Sequence, residues 1–292
     1  MPAISRVLLP VDFSPRGVGA ARYAAALADH FKAELTVLHA LETFRWAPAS
    51  GWEYSAVFQV EAELAFQEQR KRELDSYCKD EFSNLKVKHV MVSGNPAELI
   101  VQQSREDNSD LIVMPTRGCG PFRRFLLGSV TSKVLHDAAC PVWTGVHMEE
   151  TSHEEWKAIR NVVCAIDKGP ESPQVIQWAA DFAAEFGARL TIVHAIPPIT
   201  PGAHGYFDPD WWKALAAQAR EDVSGMKQAA GVHGGSILIE AGQPAEAITR
   251  VAKELDADLL VIGRNPVHSL MGRLLENAYS IIRESPCPVV SM

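Results

Sequence analysis

Gly118 and Gly128 bound a loop whose residue types suit an anion. The segment runs Pro115-Thr116-Arg117-Gly118, then nine residues, then Gly128-Ser129-Val130-Thr131. Gly118 tolerates φ > 0 and lets the backbone approach a ligand closely. Gly128-Ser129-Val130-Thr131 opens a helical pattern, and the free N–H groups and dipole of a helix N-terminus favour negative charge. Hydroxyls at Ser129 and Thr131 add hydrogen bonds, and Arg117, Arg123 and Arg124 add positive charge. Together these parts make a phosphate cradle. It is not a P-loop: GxxxxGK[ST] is absent, and no lysine follows Gly128. The glycines alone fit tight turns equally well, with Ser129 as the helix cap.

Asp12 is the second candidate. A carboxylate repels a phosphate, so it would face away from the anionic end of a ligand held in this cradle. Its other reading is completion of the helix cap around Ser14, and the two roles are compatible.

These residues must be positioned by buried strands feeding helices. Ile4–Val11 is a continuous apolar run ending at Asp12, as in a strand buried on both faces. Ser14-Pro15 reads as N-cap and first helical residue, followed by an Ala-rich helix to about Phe31. Leu35–Leu41 is strand, Val57–Glu81 a long charged helix, Val87–Val92 strand, Pro96–Asp107 helix and Asp110–Met114 strand. Gly128–Asp137 is helix, and Pro141–Val146 a last strand. Alternation of this kind implies parallel pairing and an α/β layered domain.

The chain then repeats itself. Val7–Asp12 returns as Val162–Asp167, His39-Ala40 as His194-Ala195, and Gly94-Asn95-Pro96-Ala97-Glu98 as Gly242-Gln243-Pro244-Ala245-Glu246. Asp110–Val113 returns as Asp258–Val261, and Cys140-Pro141-Val142 as Cys287-Pro288-Val289. Strands fall near 161–166, 189–196, 236–240, 258–262 and 288–291. The division is 1–147 and 148–292, with the polar Met148–Lys157 as linker and the Pro- and Gly-rich Pro197–Pro209 as a surface excursion.

One passage is not repeated. The second loop reads Gly263-Arg264-Asn265-Pro266, and nine residues later Glu276-Asn277 replaces Gly-Ser. A helix starting at Glu276 would satisfy its own N-terminus and oppose a phosphate. Two like charges about 4 Å apart cost roughly 4 kcal/mol at an effective dielectric near 20. Arg264 and Arg273 would offset part of this. The second repeat is therefore expected not to bind a phosphate in the manner of the first, leaving Asp167 mainly structural.

Composition narrows the function classes. The chain has 292 residues, 47% hydrophobic and 22% charged, with a formal net charge of −8. That balance, without a basic run, argues against nucleic acid or an anionic membrane as partner. No signal peptide or 18-residue apolar stretch is visible, which predicts a soluble cytoplasmic protein. Cys78, Cys119, Cys140, Cys164 and Cys287 show no metal-ligand spacing and read as reduced thiols, with Cys119 in the loop as the oxidisable candidate. His39 and His194 end equivalent strands and read as structural. Trp211-Trp212 covers a sheet edge or a seam between repeats, or stacks on a ligand.

The loop Gly-x9-Gly-Ser after Ile112-Val113-Met114-Pro115-Thr116-Arg117 resembles the nucleotide loop of the universal stress protein family. The opening Leu9-Pro10-Val11-Asp12-Phe13-Ser14, the strand end Val37-Leu38-His39-Ala40 and the closing Ala139-Cys140-Pro141-Val142 are similar to that family too. The likeness covers both repeats, so the chain looks like a tandem member. It implies two doubly wound α/β domains, each with a five-stranded parallel sheet ordered 3-2-1-4-5, and ATP, with or without Mg²⁺, held across strands 1 and 4. Pro10, Val11 and Asp12 would line the adenosine end, Ala40 would touch the base and Met114 would pack near it. Gly118, Gly128, Ser129, Val130 and Thr131 would hold ribose and phosphates. Pro115 departs from the pattern, replacing its first glycine and removing an N–H.

Family members associate through their last strands. Val142-Trp143-Thr144 and Val289-Val290-Ser291 would then pair within one chain as an intramolecular pseudo-dimer, and two chains could form a homodimer. The expected function is a stress-response module binding an adenine nucleotide in the first repeat, with no dedicated catalytic apparatus. The rivals are a slow ATPase or adenylyl-transfer enzyme using Ser129 or Thr131, and a nucleotide-independent scaffold or chaperone-like module.

Overall fold

Alternating strands and helices build the sheet. A computed structural model describes residues 4–41, 56–116, 127–145, 159–197, 209–264 and 273–292. The first repeat contains β1 (Arg6–Pro10), α1 (Pro15–Phe31), β2 (Glu34–Leu41), α2 (Ala56–Ser76), β3 (Val87–Ser93), α3 (Pro96–Glu106), β4 (Leu111–Val113), α4 (Ser129–Asp137) and β5 (Val142–Thr144). The second contains β6 (Asn161–Ala165), α5 (Ser172–Glu185), β7 (Arg189–Ile196), α6 (Pro209–Ala229), β8 (Ser236–Ala241), α7 (Pro244–Glu254), β9 (Leu259–Ile262), α8 (Arg273–Glu284) and β10 (Val289–Ser291). The boundary placed between 147 and 148, and the segment Met148–Lys157, lie outside the described residues, as do all but the ends of Pro197–Pro209.

Each repeat is doubly wound with strand order 3-2-1-4-5, as expected, and the two halves merge. The ten strands form one sheet ordered β3-β2-β1-β4-β5-β10-β9-β6-β7-β8. Pairing is parallel within each half, and β5 meets β10 antiparallel, with Val290 opposite Trp143. The strands are apolar on both faces because both are covered. Val7, Leu9 and Val11 face α1, α2, α5 and α6, while Leu8 and Ile112 face α3, α4, α7 and α8.

Local chemistry sets the element ends. Ser14 caps α1, its Oγ accepting from Gly17 N at 3.3 Å, and Pro15 follows as expected. Asn95 Oδ1 accepts from Ala97 N at 3.1 Å and Glu98 N at 3.4 Å to cap α3, whereas Gln243 makes no such bond at α7. Replacing Asn95 by alanine should cost about 1 kcal/mol; urea unfolding measures it, and an unchanged midpoint would count against the cap. Asp110 ties β4 to β1: its Oδ2 accepts from Ser5 N at 2.8 Å and Arg6 N at 2.9 Å. Asp258 does the same with Arg160 and Asn161. These repeated aspartates are joints.

One expectation fails here. The helix expected to reach Glu81 stops at Ser76. Cys78 takes φ 46°, outside the right-handed helical region, and the chain folds back to bury Phe82. The charge run hid that break.

The seam between repeats is packed on both sides of the sheet. On one face Trp143, 1% exposed, lies 5.9 Å from Tyr23 and 5.8 Å from Phe182 between ring centroids. Phe31 and His30 of α1 meet Phe182 of α5 and Phe186 just after it, and His30 Nε2 lies 3.0 Å from Glu185. On the other face Arg264 and Tyr279 reach α4. Trp211 and Trp212 sit on α6, away from this seam, and Trp211 is exposed.

Candidate functional site

β1 sits between β2 and β4, so the strand order reverses at its carboxyl end, where sheets of this kind place ligands. The pairing Leu8↔Ile112 carries the end of β1 alongside the end of β4, setting Pro10 beside Met114. Val11 N donates to Leu38 O at 2.8 Å, and Val11 O bonds His39 Nδ1 at 2.8 Å. Ala40 is half-buried in β2, level with Val92 of β3. Met114 is buried among the side chains under α3 and α4.

Asp12 is exposed, and its Oδ1 accepts from Ser14 N at 3.0 Å. Its capping role is therefore present, and the exposed carboxylate remains at the strand end. Asp167 makes the same turn in the second repeat, accepting from Gly169 N at 2.8 Å. Phe13 and Lys168 follow these aspartates with φ 58° and 64°, left-handed conformations that turn the chain sharply into the helix.

Those two residues differ in consequence. The Phe13 ring tilts against His39 at 4.3 Å and lies edge-on to Tyr77 at 5.6 Å, with the Arg70 guanidinium 5.8 Å away over its face. Lys168 instead pairs with Asp222 at 3.0 Å. The first repeat thus has an aromatic and cationic shelf where the second has an ion pair. Nothing in the spacing of the sequence announced it, since α2 had to be placed before Arg70 could be.

His39 and His194 are structural, as expected. A carbonyl only accepts, so each Nδ1 carries the proton bonded to Val11 O or Ile166 O. Burial lowers both pKa values, with the carbonyl bonds opposing it. The unfolded imidazole then binds protons more readily than the folded one, so this stabilisation is complete above the ordinary value near 6.5 and is lost as pH falls below it. H39Q should lose less stability between about pH 7 and 5 than the parent chain; equal pH slopes in thermal unfolding would refute the assignment.

The loop's described ends close on themselves. Gly128 N donates to Thr116 O at 2.9 Å, and the buried Thr131 Oγ1 donates to Pro115 O at 3.1 Å. Gly128 is the N-cap of α4 with φ −62° and ψ 146°, a conformation open to any residue, and it brings no side-chain cap. The Gly128 amide and the Thr131 hydroxyl proton are thus both bonded within the loop itself. The first helical bond runs from Ser132 N to Gly128 O, so the amides of Ser129, Val130 and Thr131 lie ahead of the ladder. Ser129 is exposed there and Val130 half-buried. Gly118, Arg117, Arg123, Arg124 and Cys119 lie outside the described residues. The other thiols are held protonated by burial, Cys287 pushed up to about 12.

The second repeat departs further than its sequence implied. α8 begins at Arg273, so Glu276 and Asn277 lie inside the helix and not at its start. Amides a full turn into a helix already donate within it, so the position equivalent to Ser129 offers no free N–H. Asn265 and Pro266 lie outside the described residues, as does the Glu276 side chain. Arg264 reaches across the seam. Its guanidinium donates to Leu135 O and Cys140 O, both at 2.7 Å, in the first repeat. Burial lowers its pKa to about 10, which leaves it a cation at neutral pH.

Other places compete less well. A cleft of about 980 Å³ opens at the amino ends of β6 and β7. Its polar groups bond one another, Arg189 Nε to Asn161 Oδ1 and Asn161 Nδ2 to Asp256 O, and it lies at the strand ends opposite to those that take ligands. Among the described residues no group of three or more His, Cys, Asp or Glu could hold a metal, and no helix is long and apolar enough to cross a membrane.

Comparison with known proteins agrees with the repeat. The model of the universal stress protein family matches residues 3–144 and again 158–291. A universal stress protein of Mycolicibacterium smegmatis is 26% identical over 286 residues, covering 96% of this chain and 93% of its own. One from Methanocaldococcus jannaschii is 33% identical over 141 residues, 47% of this chain and 79% of its own. The crystal structure of a universal stress protein from Archaeoglobus fulgidus has the same fold, with TM-score 0.66 at 23% identity over 98% of this chain and 95% of that one. Two family-model matches in tandem, over the two halves of one continuous sheet, establish that the chain belongs to the universal stress protein family.

Proposed function

We propose that the first repeat binds an adenine nucleotide, ATP or a close relative, and that the chain is a cytoplasmic stress-response module acting through that binding, not an enzyme. The observation that carries this reading is the convergence at one strand-order reversal of exposed Asp12 with the uncapped N-terminus of α4. Free helix amides and a positive dipole suit phosphate, while Asp12 at the β1 end suits a sugar hydroxyl. Family membership supports the choice of adenine nucleotide. Any Mg²⁺ would arrive on the phosphates, because this ion is usually held by one or two carboxylates plus substrate phosphates.

A nucleotide-independent scaffold is the second reading, and one observation favours it: Pro115, Thr116, Gly128 and Thr131 satisfy one another without a ligand. Purified protein separates the two. Heat-released material examined by absorbance and mass spectrometry should contain an adenine nucleotide, or the emptied protein should bind added ATP. Failure of both would leave the scaffold.

A further inference from the structure

We propose that Arg264 and Tyr279 of the second repeat are positioning residues for the phosphate end of the first repeat's nucleotide site. The inference rests on the reading of α4 given above and adds a role for the repeat that lacks the cradle. The helix α4 has nine residues, about 13 Å at 1.5 Å per residue. Its amino end is the candidate anion site, and its carboxyl half is held from across the seam. Arg264 bonds Leu135 O in the last turn of α4 and Cys140 O in the turn leading to β5. Tyr279 Oη donates to Ser132 O at 3.1 Å, four residues from the N-cap.

The grip is built on fixed backbone at both ends. Arg264 N donates to Met292 O, and Met292 N donates to Ile262 O at 3.0 Å, so the arginine is anchored between the ends of β9 and β10. A cation at the carbonyl end of α4 also reinforces the dipole whose positive end faces the anion. In the first repeat the positions corresponding to Arg264 and Tyr279 are Thr116 and Thr131. Both of these bond within their own loop, and among the described residues neither reaches α8. The grip is therefore one-way, from the repeat with the altered loop onto the helix that keeps the cradle. A rigid helix transmits displacement at one end to the other, and the coupling between two sites is reciprocal.

The test uses the full chain with Y279F and R264A, titrated by calorimetry with ATP and, by competition against ATP, with adenosine. Both variants should weaken ATP roughly fivefold or more while leaving adenosine within twofold, because adenosine does not reach α4. Equal losses for both ligands would reduce the pair to general stability, and unchanged ATP affinity would remove the role altogether. Y279F deletes one hydroxyl and keeps the ring, so it decides the question even where R264A fails to fold. A parent chain that binds neither ligand would overturn the nucleotide reading and this inference with it, whereas a binding parent with unaltered variants overturns this inference alone.

Discussion

Replacing Trp143 by alanine should lower the unfolding free energy by about 3–5 kcal/mol, the range seen when a fully buried large aromatic is truncated. Trp143 is 1% exposed, pairs across the seam with Val290, and lies between Tyr23 of the first repeat and Phe182 of the second. Its loss leaves a void where both repeats share a core on one face of the sheet, and the ladder around it limits collapse. A double-mutant cycle with F182A isolates the contact between the halves. Residues in contact commonly couple by roughly 0.5–3 kcal/mol. A W143A chain destabilised by less than about 1 kcal/mol in urea, or strict additivity with F182A, would mean that the halves are merely tethered.

The second large effect concerns the cradle. G128E brings to the first repeat the residue that the second has at the matching position, Glu276. The native backbone at 128 needs no glycine, so the change should be folded and local. A carboxylate at the N-cap of α4 would take the free amides and repel a phosphate, at a cost approaching 4 kcal/mol in a half-shielded site. Water reduces this, and the expected loss of ATP affinity is about 10²-fold. An unchanged affinity in the folded variant would remove α4 from the site.

Much of the fold was legible because its signals are local. Continuous apolar runs at Val7–Val11 and Val162–Ile166 could hardly be other than doubly covered strands, and Ser14-Pro15 marked a helix start that its hydroxyl does cap. The pairing of β5 with β10 followed from the family likeness, not from periodicity, since three-residue strands carry little of it. The error at α2 arose because a charged helix and a charged turn look alike until Cys78 adopts its left-handed conformation.

The site was less legible, for a different reason. Residue types indicated which groups could meet a phosphate, but not which of them the loop itself would occupy. Gly128 N and Thr131 Oγ1 are taken by Thr116 and Pro115, partners near in space and far enough in sequence to escape notice. Arg264 was read as a local charge, yet it serves a helix 129 residues earlier in the chain. Phe13 had no assigned role in the sequence, yet its ring lies under the Arg70 guanidinium. Each of these depends on long-range placement, which spacing does not encode.

The central claim is that two similar folds carry one nucleotide site. Titrating ATP into the nucleotide-free full-length chain by calorimetry measures the number of sites directly. One site per chain, lost in G128E, is the predicted result; two equivalent sites, or one that survives G128E, would contradict it.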